Sequence, residues 1–286
     1  MSQGASEEIG RPTTWISTYD TRRMDMLLAQ KTAVIYGAGG AIGGAVARAF
    51  AHEGARVFLA GHTSGPLETL AREISQAGGV AEAAHVDAFD ELAVEQHLRA
   101  VVEQTGGIDV SFNAIAIDYS QGTPLVEMAL SAFTLGIADA MKTQFLTTTA
   151  AARHMRRRGS GVILAITATP ARLFIPNVGN FGVACAAIER LCRQLAGELG
   201  PEGIRVICLR SAGSPDAPGV DASFRLLAEQ AGMSRDAFEA SLAQRTLLKR
   251  LPRLAEVAQM AVLMASDRAS AMTGAVANVT CGEAVD

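Results

Sequence analysis

Short runs dominated by Val, Ile, Leu and Ala recur along this chain, separated by segments of helix length. Residues 32–36, 56–60, 80–86, 108–113, 162–167, 204–209 and 274–279 read as strands. Such runs, without in–out alternation, imply a strand covered on both faces, the condition of a parallel sheet between two helix layers. The punctuation agrees. Gly54 closes a helix opened by AIGGAVARAF, Ser64 and Pro66 read as cap and first turn of the next, and Gly78–Gly79 stop it. Asp90 caps a helix that ends at Gly106–Gly107, and longer helical stretches cover 125–158 and 183–199. Residues 212–250 are helical but break the spacing, and 254–265 form a last helix. The expectation is an α/β fold: one doubly wound domain, 29–286, with a seven-stranded parallel sheet and helices on both faces. Ligands of such sheets bind beyond the C-terminal strand ends.

Composition narrows the function. Of 286 residues, 49% are hydrophobic and 19% charged, which excludes a disordered chain and fits a filled core. A formal charge of -4 and 5% aromatic residues give neither the field nor the stacking surface of a nucleic-acid binder. Cys185, Cys192, Cys208 and Cys281 form no disulfide framework and no metal-ligand spacing, and read as free thiols of a reducing, cytoplasmic setting. No apolar run reaches membrane-spanning length. Residues 1–28 read as a partly disordered extension, with Met24 or Met26 as alternative starts and Tyr19 and Arg23 assigned to no site.

The segment Gly37-Ala38-Gly39-Gly40-Ala41-Ile42-Gly43-Gly44 joins the first strand to the first helix. Backbone N–H groups at a helix start attract a pyrophosphate, and glycines let it come close. A strict G-x-G-x-x-G does not fit, because Ile42 stands at its third glycine; G-x-x-x-G-x-G fits at Gly37 and Gly43 with Ala41 in the middle place.

With these features the chain resembles the short-chain dehydrogenase/reductase family over residues 31–283. Asp87 stands where the family's acid meets adenine, and Asn113-Ala114 begins the N-A-G motif, with Ile115 in place of its glycine. Residues 256–274 (EVAQMAVLMASDRASAMTG) match the C-terminal helix and turn, and VTCG stands for V-D-G-G. The resemblance implies a Rossmann fold, an NAD or NADP cofactor, a small substrate and a homodimer or homotetramer built through the two long helices. It also implies four catalytic groups: an Asn, a Ser, a Tyr thirteen residues after the Ser, and a Lys four residues after the Tyr. In the register set by ITATPAR and FGVACAA these places hold Ala140 (or its neighbour), Ala168, Phe181 and Cys185. No Y-x-x-x-K occurs anywhere in the chain.

Substitute groups are few. Cys185 is a nucleophile only if its pKa is lowered. Thr167 and Thr169 flank the empty Ser place, Tyr119 follows the fourth strand on the loop that the resemblance puts beside the pocket, and Asn177 and Asn180 shape a turn. The histidines (52, 62, 85, 97, 154) and Arg156-Arg157-Arg158 read as solvated or structural, the arginines complementing a helix C-terminus. The second strand ends in Gly61-His62-Thr63 without the acid that would bind the 2′-OH of NAD, so the cofactor expectation leans to NADP. Three functions follow as expectations: an atypical oxidoreductase acting on an acceptor such as an activated C=C bond or an imine; a non-catalytic nucleotide- or ligand-binding partner subunit; and redox-neutral chemistry using Tyr119, Thr167 or Cys185. The Ala/Leu/Phe content of 212–250 points to an apolar substrate.

Overall fold

The computed structural model describes residues 26–285. The readings at Tyr19, Arg23 and Met24 lie outside them. Leu28 is fully buried and the Leu27 amide donates to Glu53 Oε2 at 3.0 Å, so the packed body takes in residues assigned to the extension.

Seven strands are found among the described residues: β1 (Thr32–Tyr36), β2 (Arg56–Gly61), β3 (Val80–His85), β4 (Val110–Asn113), β5 (Gly161–Ala168), β6 (Ile204–Ser211) and β7 (Val276–Val279). They form one sheet, order β3-β2-β1-β4-β5-β6-β7, every pair parallel. The reversal of order falls between β1 and β4, where a crevice opens above the sheet. Eight α-helices accompany the strands: α1 (Ala41–His52), α2 (Ser64–Gln76), α3 (Glu91–Thr105), α4 (Leu130–Arg156), α5 (Phe181–Leu199), α6 (Pro218–Gln230), α7 (Arg235–Arg245) and α8 (Leu254–Ala265).

Strand periodicity divides the core. Ala33 and Ile35 face Val46, Phe50, Leu70 and Val262 of α1, α2 and α8. Val34 and Tyr36 face Leu98, Met155 and Ile188 of α3, α4 and α5. A third cluster, built on Phe224, Ala228, Phe238 and Leu242, joins α6 to α7. Caps fix the helix ends: Asp90 Oδ1 accepts from the amides of Leu92 (2.9 Å) and Ala93 (3.3 Å), and Gly106 closes α3 at φ +81°.

Several expectations need correction. β3 is an edge strand, with Val80 52% exposed, so it is not covered on both faces. Ser64 is the first helical residue of α2 and Thr63 is its cap position. The stretch read as one helix from 125 is a single 3-10 turn at Leu125–Glu127, then α4 from Leu130. Helix α5 begins at Phe181, two residues earlier than expected. The arginines at the end of α4 are not simply solvated: Arg156 pairs with Glu202, and Arg158 lies 3.3 Å from Asp109.

His97 of α3 packs edge-on against Tyr36, ring centroids 6.3 Å apart. Tyr36 Oη and both ring nitrogens of His97 are buried without a hydrogen-bond partner among the described residues. Burial lowers the His97 pKa from 6.5 to about 4, since the charged ring would lose its hydration. As pH falls below 6.5 the unfolded chain takes up this proton before the folded one does, so the contribution is present above 6.5 and is lost down to about 4. That shift corresponds to about 3 kcal/mol. Urea unfolding of wild type and His97→Leu at several pH values in this window is expected to show a shallower loss in the variant; equal slopes would refute the assignment.

Candidate active site

The β1–α1 turn is shaped by contacts that only glycine permits. Gly37 sits at φ +73°, and a Cβ there would lie 2.6 Å from the Ala114 carbonyl oxygen at the end of β4. A Cβ on Gly43 would lie 2.3 Å from the Gly37 carbonyl oxygen. The loop therefore folds on itself and against β4, leaving Gly40 as N-cap of α1 with no side-chain cap and no acid in the first turn. The unfilled donors and positive end of α1 meet a cavity lined by Gly40, Ala41 and Ile42, a fitting cradle for a dinucleotide pyrophosphate.

That cavity, about 560 Å³, runs beyond the C-terminal ends of β1, β4, β5 and β6 and under α6 and α7. A second cavity of about 540 Å³ lies on the other side of the loop, between α1 and α2. Gly39, Gly40, Pro66, Thr69 and Arg48 line it, and Arg48 pairs with Glu73 at 2.5 Å.

The expected dinucleotide residues are arranged as follows. Asn113 is buried; its Nδ2 donates to Thr147 Oγ1 at 2.9 Å and its Oδ1 accepts from the Ile115 amide at 3.0 Å, tying the end of β4 to α4. This fixes Ala114, which lines the cavity. Asp87 is exposed at the end of β3 and accepts from the Phe89 amide at 2.9 Å. His62 is exposed after β2 and lines neither cavity.

Ala168, Phe181 and Cys185 all line the main cavity, whereas Ala140, on α4, is buried in the core. Phe181 contacts Tyr119 with centroids 4.8 Å apart. Asn180 enforces this contact. Its Oδ1 accepts from the Ser120 amide (3.1 Å) and its Nδ2 donates to the carbonyls of Ala132 (2.9 Å) and Phe133 (3.0 Å), so one buried amide joins the Tyr119 loop, α4 and α5. Asn177, at φ +59°, accepts from the Gly122 amide through its carbonyl (2.7 Å).

The substitute groups are held in unreactive states. Burial pushes the Cys185 thiol up to about 12, so it is protonated at neutral pH and a poor nucleophile. Tyr119 is also pushed up, chiefly by burial, and holds its proton firmly. Thr167 Oγ1 donates to Glu189 Oε1 at 3.1 Å.

Glu189 and its partner were not foreseen. Glu189 lies one turn beyond Cys185 on α5 and is 3% exposed; Arg210 on β6 is 1% exposed. The guanidinium grips the carboxylate through two bonds, Nε to Oε1 at 2.8 Å and Nη2 to Oε2 at 2.6 Å, and donates to Asn278 Oδ1 on β7 at 2.9 Å. A buried, fully engaged pair thus lies next to Cys185 and ties α5 to β6 and β7. A charged residue inside an apolar strand was the available signal.

A model described as Enoyl-(Acyl carrier protein) reductase matches residues 37–283. The short-chain reductase protein NovJ of Streptomyces niveus is 30% identical over 260 residues, covering 88% of this chain and 94% of that protein. The cis-4-hydroxycyclohexanecarboxylate dehydrogenase of Sinomonas cyclohexanicum is 30% identical over 259 residues, covering 91% and 98%. The sorbitol-6-phosphate 2-dehydrogenase SrlD of Erwinia amylovora superposes with a TM-score of 0.83 at 26% identity, covering 89% of this chain and 100% of that one. The chain belongs to the short-chain dehydrogenase/reductase family of oxidoreductases, whose members bind NAD(P).

Removing one member of a buried ion pair strands the other charge, at a cost of about 3–5 kcal/mol. Glu189→Leu and Arg210→Met are each expected to destabilise by that order in denaturant unfolding, and the double variant to recover most of the loss. Single variants within about 1 kcal/mol of wild type would show that the pair does not secure this wall.

Proposed function

We propose that the protein is an NAD(P)-binding oxidoreductase that passes hydride to an acceptor requiring no proton from the chain, with NADP(H) the preferred form. When bound, the dinucleotide supplies or receives the hydride. Gly37, Gly39, Gly40, Ala41, Ile42 and Gly43 would hold its pyrophosphate, Asn113 and Ala114 would border it, and Asp87 and His62 would meet the adenosine half. The single observation carrying this reading is that Ala168, Phe181 and Cys185, which the sequence register assigns to the family's Ser, Tyr and Lys, all line the cavity. A general acid contributes about 10²–10⁴ in rate. Alcohol–carbonyl chemistry without one is therefore disfavoured, whereas a conjugated C=C bond or an imine takes its hydride at carbon and its proton from water. The enoyl reduction named in the matching family model is of this kind. The NADP preference rests on the absence of an acid at the end of β2.

The second reading is a ligand-binding partner subunit without turnover, favoured by the inert state of Cys185 and the engaged hydroxyl of Thr167. These two facts, with the proton that burial holds on Tyr119, leave redox-neutral chemistry through Tyr119, Thr167 or Cys185 without support. Exposed Leu130, Leu135 and Phe145 on α4 and Val183 on α5 support pairing with a second copy through the long helices.

Fluorescence titration with NADPH and NADH is expected to show binding, tighter for NADPH; no binding of either would remove the proposal. Ala168→Ser, Phe181→Tyr and Cys185→Lys combined is expected to gain carbonyl reduction that wild type lacks. A folded, dinucleotide-binding triple variant without that gain would contradict the assigned places.

A further inference from the structure

The loop after β4 is clamped from three directions. A Cβ on Gly179, at φ +63°, would overlap the Ser120 carbonyl oxygen. A Cβ on Gly136 of α4 would lie 3.0 Å from the Asp118 carbonyl oxygen and 3.1 Å from a ring carbon of Tyr119. The Asn180 side chain supplies the third clamp by accepting from the Ser120 amide. Two close approaches and one buried amide thus fix Tyr119 where its ring tilts at 51° against Phe181.

The ring carries a free hydroxyl. Tyr119 Oη has no hydrogen-bond partner among the described residues, yet it is not sealed as Tyr36 Oη is: it keeps accessible surface, and Tyr119 lines the main cavity with Ala168, Phe181 and Cys185. Other polar groups on this wall are engaged or weak. Thr167 Oγ1 donates to Glu189, and the Cys185 thiol is a poor donor. Thr169, next to Ala168, has a side-chain hydroxyl that also lacks a partner among the described residues. Burial keeps the proton on Tyr119, so near neutrality the phenol donates a hydrogen bond and does not act as a base. A donor held in place in an apolar enclosure stabilises negative charge that develops on an oxygen. Phe224, Leu227 and Leu242 of α6 and α7 supply apolar wall for the rest of a ligand.

We infer that the acceptor is an α,β-unsaturated carbonyl compound with an apolar body, and that Tyr119 is a catalytic residue whose hydroxyl hydrogen-bonds the carbonyl oxygen. This deepens the proposed function and rests on it. The β carbon of the substrate takes the hydride of a reduced nicotinamide, which is left oxidised. The C=C π pair moves to join the α and carbonyl carbons, and the C=O π pair moves onto oxygen. Tyr119 donates a hydrogen bond to that enolate oxygen and keeps its proton. The α carbon then takes a proton from water, giving the saturated ketone and hydroxide. An iminium nitrogen has no lone pair to receive the Tyr119 hydrogen bond, which separates the two acceptors considered above in favour of the conjugated carbonyl.

The test uses 4-phenyl-3-buten-2-one as substrate and its saturated ketone, labelled with ¹³C at the carbonyl, as unreactive ligand. Tyr119→Phe keeps the ring on Phe181 and removes only the hydroxyl; Thr169→Val removes the other one. Wild type is expected to oxidise NADPH with the enone. Tyr119→Phe is expected to lower kcat by about 10²–10³, the range for loss of one such donor, with thermal unfolding and dinucleotide affinity unchanged, and Thr169→Val to cause a smaller loss. Infrared spectra of the bound labelled ketone, with and without dinucleotide, are expected to show a carbonyl stretch lowered in wild type and returned upward in Tyr119→Phe. A carbonyl band, or a measurable kcat, that Tyr119→Phe leaves unchanged overturns the inference even if the dinucleotide binds and is oxidised. A Tyr119-dependent band shift without turnover of the enone upholds the carbonyl contact and discards the hydride reading.

Discussion

A methyl group does not fit at Gly37 or Gly43. Each glycine lies so close to neighbouring backbone that a Cβ would overlap a carbonyl oxygen at 2.6 or 2.3 Å. The active-site geometry depends on this close approach. It locks the β1–α1 turn against Ala114, so the start of α1 and the end of β4 share one crevice wall. The packing is needed whether or not a ligand is present, yet it also clears space at the positive end of α1. The packing that serves the fold thus also leaves room for a pyrophosphate.

Opposite that cradle the wall is apolar and inert. Phe181, Cys185 and Ala168 offer no group that ionises near neutrality. Behind them Glu189 and Arg210 neutralise each other and engage Thr167. Asn180 then holds the Tyr119 loop onto the start of α5. The result is a firm apolar surface beside the dinucleotide site, with acids only at Asp118 and Glu283.

Much of the fold was legible because local and tertiary signals agree. β1 is buried along its whole length and its bounds follow from the apolar run alone. Asp90 and Gly106 mark α3 through their own backbone chemistry. The reading failed where long-range contacts decide. The segment before α4 leaves helical geometry at Met128 and Ala129, while the Gly122 amide is drawn to Asn177, far along the chain. In the site, Ala168, Phe181 and Cys185, singled out by spacing, line the cavity wall, whereas Ala140 does not. Glu189–Arg210 could not, because a helix and a strand 21 residues apart must meet before the pair exists.

The most direct measurement is a crystal structure of the complex with NADP⁺. The nicotinamide is expected beside Phe181 and Cys185, with no side chain that ionises near neutrality in hydrogen-bonding contact with its C4 edge. A tyrosine hydroxyl aligned on the reacting atom with a lysine or arginine beside it would contradict the central claim.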